Sequence, residues 1–391
     1  MFQLSNTLQH YVWGSPTLLG EMFGLVNPDS QPIAEIWMGA HPKSSSLIIN
    51  ADQQQSKLID VITASKQDFL GKKIADTFGE LPFLFKVLCA DKALSIQVHP
   101  SKTAAETGFA KEDEAGIPLD SPVRNYKDPN HKPELVFALT PFRAMNAFRE
   151  LSEIAELLGP VTDAHPSVAE FVANPDTTHL KTVFADLLSL QGQAKDNALS
   201  LLKSVVSSKQ GVAWRTIEHL LEDYPQDTGL FMPLLLNVIE LQPGEAMFLH
   251  AETPHAYFKG VGLEVMANSD NVLRAGLTPK HIDVPELLAN VIFKPVPYNM
   301  LRTAPVTEGN ADYFPVPVDD FSFSIHHVTS EPATFNQDGP AIIFCIDGNV
   351  TCSNGEQTIA LVPGESAFIG ANEAAISFFG QGRIARAYAE V

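Results

Sequence analysis

The sequence predicts a mainly β protein interrupted by one block of helices, and three observations lead there. Short apolar and β-branched runs fill both flanks of the chain, a helical period takes over between about Arg149 and Tyr224, and one fifteen-residue β pattern occurs twice. At 391 residues the chain exceeds what one hydrophobic core usually serves, so two or three domains are expected.

From the start to about Phe148 the sequence is broken by Pro and Gly and carries strand-like runs at Ser46 to Ile49, Phe83 to Cys89, Leu94 to Val98 and Leu135 to Leu139. Then the period changes. Leu180, Val183, Phe184, Leu187 and Leu188 follow i, i+3, i+4, i+7, i+8, and Trp214, Ile217, Leu220, Leu221 and Tyr224 repeat a similar spacing, the mark of amphipathic helices. After Pro225 the strand pattern returns with Leu234 to Leu241 and PGEAMFLHAETPHAY, which begins at Pro243. That segment aligns without gaps on PGESAFIGANEAAIS, beginning at Pro363. A PG turn followed by strand residues and a second turn suits an antiparallel jelly-roll hairpin, since Gly tolerates the left-handed backbone of the turn. The copies differ where chemistry would sit: His250 and His255 of the first face Gly370 and Ala375 of the second, so only the first can hold a metal. The expected domains are a β domain from 1–148 and 225–302, a helical insertion at 149–224, and a metal-free β domain at 303–391 whose task is packing or covering.

Composition narrows the function. Apolar residues at 45% and charged residues at 18% describe a globular chain. The formal net charge of -20 argues against nucleic-acid binding, which needs a basic face. An anionic substrate would then need a local basic cluster that overrides the field of the whole molecule. Cys89, Cys345 and Cys352 form no CxxC pair and fit a reducing compartment. The N-terminus lacks a basic region followed by an apolar core, and no charge-free stretch reaches membrane-spanning length, so a cytoplasmic location is expected.

The densest chemistry lies in SIQVHP, Ser95 to Pro100. On a strand Gln97 and His99 point one way while Ile96 and Val98 point into the other layer. HKPELVF adds Glu134 at the head of a strand, and TPHAY adds His255 after a turn. Glutamine, two histidines and a glutamate make a mixed N/O set that suits zinc and would accept manganese, iron or cobalt. Lys132, two residues before Glu134, shares its face, and beside a dication a lysine can give up its proton and act as a base. The acidic run EDEAG, Glu112 to Gly116, reads as a solvated loop, and AHPKSSS resembles a phosphate-cradling loop only loosely.

The stretches YVWG, AEIWMGAHPKSSS, LPFLFKVLCADKALSIQVHP, NHKPELVFAL and PGEAMFLHAETPHAYFKGVGLEVMANSDNVLRAGLTPKH resemble, in the same order, the corresponding segments of the type I phosphomannose isomerases. The resemblance implies a cupin-type barrel with one zinc ion held by Gln97, His99, Glu134 and His255. The implied reaction interconverts mannose 6-phosphate and fructose 6-phosphate through an enediol, feeding nucleotide-sugar and polysaccharide synthesis or mannose use. Arg274 is implied as catalytic, with Lys132, His131 and Asp270 as candidates for moving the C2 proton. Lys86, Ser95 and Lys280 are implied at the phosphate end, and His131 is placed with the substrate contacts. Two rival readings predict different residues. A cupin oxygenase would want a two-His, one-carboxylate face with open positions, and a non-catalytic sugar-phosphate sensor would lack Arg274 or Lys132. The expected partner is a small sugar phosphate alone, with no nucleic acid, no membrane, and a monomer as the state of the chain.

Overall fold

The computed structural model describes residues 1–49, 55–373 and 375–390; Ala374 of the second repeat and Val391 lie outside the described residues. Among these, the strands form a ten-stranded and an eleven-stranded sheet, and every ladder within them is antiparallel. With the helices between residues 151 and 235, they give the expected mainly β architecture of two cupin-type barrels and a helical insertion.

The first sheet is organised by one long strand, His255–Ala267. Beyond Gly260 it lies between Phe83–Ala90 and Glu134–Ala138; before it, His255 to Lys259 pair with Phe142–Phe148, and His255 also meets Gln97. The change of partner occurs at Gly260, with φ of +128°, where an added Cβ would lie 2.6 Å from the Pro141 carbonyl oxygen. Only glycine fits. The strand Ala375–Tyr388 bends in the same way at Gly380, with φ of +131° and 2.2 Å from such a Cβ to the Asn349 carbonyl. Gly260 and Gly380 keep the offset of the two PGE segments, so the repeat seen in the sequence extends into the following strand.

In the helical block, Leu180, Val183, Phe184, Leu187 and Leu188 are all buried on the helix Thr177–Ser189, whose first turn is capped by Asp176 accepting from the His179 N–H at 2.8 Å. Trp214, Ile217 and Leu220 are buried on Val212–Asp223. These residues share one core with Ile96 and Val98, so the insertion covers the back of the strand that carries Gln97 and His99. The first sheet's other face meets the second across a phenylalanine-rich layer in which the Phe85 and Phe323 rings lie 6.1 Å apart and Phe137 and Phe314 lie 5.5 Å apart.

Three expectations change. Leu234 and Leu235 close the short helix Met232–Leu235, begun with Pro233 in its first turn, and the strand starts at Leu236. The acidic run is not a solvated loop: Glu112 lies in the helix Lys102–Glu114, is buried, and accepts from the Asn125 and Tyr126 N–H groups while pairing with Arg124 at 3.6 Å. Finally, Phe2–Ser5 pairs with Ser366–Ile369, and Leu47–Ile49 lies beside it, so these two strands sit in the sheet of the C-terminal unit, while Thr7–Gln9 and Glu35–Met38 between them stay in the first sheet.

Candidate metal centre

Three strands bring the expected ligands together. Gln97 lies opposite both His255 and Arg274, and Glu134 lies opposite Leu249 and Met266 on the neighbouring ladders. The ligating atoms of His99, Glu134 and His255 fall within 4.8 Å of one another, and all three residues are buried. Each histidine is oriented from behind: Nδ1–H of His99 donates to the Asn271 carbonyl at 2.7 Å and that of His255 to the Thr253 carbonyl at 3.0 Å. A carbonyl can only accept, so the proton sits on Nδ1 and each Nε2 presents a lone pair. Those lone pairs face Glu134 oxygens at 3.3 and 3.5 Å. Lone pair against carboxylate is repulsive unless a cation lies between, and His99 Nε2 has no hydrogen-bond partner. Burial, helped by the Lys132 charge, pushes His99 down to about 4, so a proton is a poor candidate for that cation near neutrality. The donor set fits a metal ion.

Behind the ligands runs a buried charge network. The Trp37 indole donates to Glu35 at 2.8 Å; Lys86 pairs with Glu35 at 3.5 Å and Glu264 at 3.0 Å. The Tyr257 hydroxyl bridges Glu264 at 3.0 Å and Glu134 at 3.3 Å, and Lys132 reaches Glu134 at 3.0 Å. Three carboxylates against two ammonium groups leave one negative charge uncompensated, which favours a dication. Burial would push Glu134 up, but the Lys132 ammonium beside it outweighs that and holds the carboxyl well below its usual range. Burial would likewise strip the proton from Lys86, and Glu264, Glu35 and Glu134 outweigh it, so Lys86 stays charged. Glu264, with burial as the larger influence, is raised. Lys86, Gln97, Lys132, Glu134, His255 and Glu264 line a cavity of about 50 Å³. A larger cleft of about 230 Å³ lies between Arg143, Phe258 and the helix Val212–Asp223; among the described residues the metal-ligating cluster is not in it.

Family profiles described as the catalytic domain and the helical insertion domain of type I phosphomannose isomerase match residues 1–151 and 157–236, and a mannose-6-phosphate isomerase cupin domain matches 310–389. The mannose-6-phosphate isomerase of Escherichia coli (strain K12) is 60% identical over 388 residues, which cover 99% of both chains. This chain belongs to the type I phosphomannose isomerase family.

Membership extends to solved structures. A zinc-bound mannose 6-phosphate isomerase superimposes with a TM-score of 0.97 at 57% identity, covering 100% of this chain and 99% of that one. The E134A mutant of phosphomannose isomerase from Salmonella typhimurium gives 0.99 at 57% identity, covering 100% of both chains.

Against the family site expected from sequence, the structure gathers Gln97, His99, Lys132, Glu134 and His255 and divides the rest. Lys86 does not stand with Lys280. It is held at the inner end by Glu35 and Glu264, whereas Lys280 is exposed and neighbours Arg274, whose charge adds to desolvation in lowering it. Arg274 is half-buried, is lowered by burial, and has no ion pair among the described residues. Asp270 does not pair with Arg274: Lys43 holds it at 2.7 Å and His41 stands 3.7 Å away. Burial would raise Asp270, but the Lys43 hydrogen bond and the His41 charge outweigh it, which leaves a weaker base. His131 is spoken for by Asp320 at 2.9 Å, a buried residue of the C-terminal part. Ser95 precedes Ile96, whose N–H binds the Gly276 carbonyl, so it lies on the Arg274 side. Sequence reading missed Glu35, Tyr257 and Glu264. A signal existed for Glu264, a lone carboxylate inside the otherwise apolar run VGLEVMA, where an unpaired charge would be costly.

Proposed function

We propose that this chain is a zinc-dependent aldose–ketose isomerase interconverting mannose 6-phosphate and fructose 6-phosphate through an enediol, with Gln97, His99, Glu134 and His255 holding one zinc ion. The observation that carries it is the pair of buried imidazole lone pairs aimed at a carboxylate in a cavity that lacks one positive charge. When bound, the metal supplies Lewis-acid stabilisation of the sugar oxygens, worth several kcal/mol.

The chain's own residues carry the rest. A cavity of about 50 Å³ has room for a metal and a few water-sized groups, so the hexose phosphate must extend outward past Gln97, where Arg274 stands across the ladder. A guanidinium there offers fixed charge to an enediolate without titrating. Beyond it Lys280 and Lys127 both feel the Arg274 charge, which makes this rim, with Ser95, the place for the phosphate. Lys127 and Lys280 thus take the part expected of Lys86. For the proton moved between C2 and C1, Lys132 is better placed than Asp270, since it touches a ligand and Asp270 is held by Lys43. His131 orients the Lys132 segment from its contact with Asp320. The domain division proposed with this is a catalytic unit of 1–148 and 225–302, a helical backing at 149–224 and a cover at 303–391, with Phe2–Ser5 and Leu47–Ile49 lent to the cover. No helix among the described residues is long and apolar enough to cross a membrane, and a cytoplasmic monomer supplying mannose phosphates is the matching biology.

The test is a coupled assay with mannose 6-phosphate before chelation, after it, and with zinc restored. Activity should vanish on chelation and return with zinc. The double variant His99→Ala, His255→Ala should fold, bind no stoichiometric metal, and lose more than about a thousandfold in turnover, equivalent to roughly 4 kcal/mol of barrier. Full metal content in that variant would overturn the ligand set.

A further inference from the structure

The C-terminal barrel holds a buried guanidinium without an ion pair, on which the Glu390 carboxylate acts only from a distance. Arg386 lies on the strand Ala375–Tyr388, is 4% exposed, and its Nε has no hydrogen-bond partner; among the described residues no carboxylate pairs with it. Its alternation places it on the inner face. Ile384 and Tyr388, two residues to either side, belong to the core inside this barrel, while Ala385 and Ala387 face the other sheet. The guanidinium is sandwiched, 4.3 Å from the Phe335 ring centre and 3.7 Å from that of Tyr388. Phe335 is paired with Ile376, at the far end of the same strand, so ring and guanidinium meet across the barrel interior.

Rings satisfy the faces of a guanidinium and leave its edge, where the N–H donors point. A charge that never titrates, removed from water, is costly unless something accepts those donors. Other donors stand beside it. Ser324, fully buried, is directly opposite Arg386 on the neighbouring strand, and His326, two residues on, contacts the Ser324 hydroxyl through Nε2 at 3.0 Å. Burial, and then the Arg386 charge, push His326 down to about 4, so the imidazole is neutral and adds no second charge. A planar cationic fork, a hydroxyl and a neutral imidazole on one inner face form a donor set matched to an oxyanion.

We propose that the interior of the C-terminal barrel binds a small oxyanion at the edge of Arg386, assisted by Ser324 and His326. The ligand class is a carboxylate or a phosphate, both of which match the guanidinium fork in two-point fashion. This site is separate from the metal centre and does not rest on the proposed isomerase reaction. It gives the barrel that lacks histidine ligands a binding task of its own.

The experiment compares the full chain with Arg386→Met in chloride buffer of fixed ionic strength, adding inorganic phosphate in one arm and acetate in the other, and reading both unfolding temperature and calorimetric site number. Wild type should bind one more oxyanion than Arg386→Met, and the arm with the larger heat identifies the chemistry. Without oxyanion, Arg386→Met should unfold at the same or a higher temperature, because an unmatched buried charge has gone. With oxyanion, only wild type should gain from that site. Turnover should be alike in the two proteins. Equal site numbers, or an Arg386→Met loss of stability that is the same with and without oxyanion, would make Arg386 a cation held by its rings alone and overturn the proposal. Should Arg386→Met fail to fold, Arg386→Lys keeps charge and length but loses the fork, and at least about tenfold weaker oxyanion binding is expected from it; unchanged binding would overturn the proposal equally.

Discussion

The two barrels use one hairpin plan and fill it differently. In each, a PG turn leads to a short strand, a second turn and a long strand bent at a glycine that no Cβ could replace. The inner face of the first carries Lys86, Glu134, Tyr257 and Glu264 in contact, while the second is lined by Ile343, Cys345, Val350, Ile376, Phe378 and Ile384, with Ser324, His326 and Arg386 as polar exceptions. The aliphatic filling is the more stable choice, since a buried ion network roughly breaks even against well-packed apolar residues. The first barrel therefore keeps its charges for chemistry. The second keeps the fold and, through Phe2–Ser5 and the phenylalanine layer, supports the sheet that does the work.

The comparison breaks most visibly in kinetics. If Arg274 acts on charge that develops only in the enediolate, Arg274→Ala should lower kcat and kcat/KM together by about a hundred- to a thousandfold while KM barely moves. The phosphate carries its charge throughout, so Lys280→Ala should chiefly raise KM, about tenfold, and more so at low salt where the negative field of the protein is least screened. Lys86→Ala was expected to follow Lys280 when both stood in one phosphate set. With Lys86 locked between Glu35 and Glu264, it should instead depress kcat and destabilise the protein by roughly 3 kcal/mol, because two carboxylates lose their partner. Steady-state kinetics at two salt concentrations, with urea unfolding, separates these outcomes; a pure KM defect in Arg274→Ala would move that residue into the phosphate rim.

How much of this was legible depends on whether neighbours in space were neighbours in sequence. Gln97 and His99 could be placed on one face because the strand period fixes it, and Ile96 and Val98 do lie buried behind them. The helical stripes were legible for the same reason. That Glu35, Lys86 and Glu264 face one another was not, because their strands are buried on both faces and carry no alternation to mark the inner side. Asp320 was hidden because its partner His131 is 189 residues away, and the pairing of Phe2–Ser5 with Ser366–Ile369 was hidden because nothing local tells Phe2 that its partner is Phe368. Glu112 looked solvated because acidic runs usually are; its acceptors serve backbone N–H groups of a loop that only the fold brings near.

A smaller effect tests the second barrel alone. His326 is 9% exposed, and the charged groups felt there are Arg386 and His327. Its folded value, about 4, lies below the ordinary 6.5, so the unfolded chain binds the proton first. That sign means the contribution of the neutral buried imidazole is complete above about 6.5 and erodes as pH falls toward 4. The loss should be on the order of 3 kcal/mol at most. Urea midpoints between pH 7 and 4.5 should fall more steeply in wild type than in His326→Phe, which has no proton to take up. Parallel slopes would mean that other groups govern the acid limb.

The smallest effect on turnover is expected where the second copy of the hairpin faces the first. Asn372 and Glu373 follow Gly370, in the turn that corresponds to the one before His255, and an acidic residue there could be mistaken for a ligand in waiting. The structure gives Glu373 another use. Its carboxylate takes the α-ammonium of Met1 at 2.5 Å and the Asn354 side-chain amide at 2.6 Å, tying the first strand to the second barrel, and those contacts outweigh burial and lower its proton affinity. Glu373→Ala should therefore cost about 1–2 kcal/mol of stability, since the pair is partly buried and the ammonium would be left without its counter-ion. Asn372→Ala should cost less. Neither should change kcat or KM by more than about threefold, provided the assay runs well below the unfolding temperature. A drop of more than about tenfold, worth about 1.4 kcal/mol of barrier, in a variant whose unfolding midpoint matches wild type would mean that the second barrel reaches into the reaction and that the division of tasks between the two is wrong.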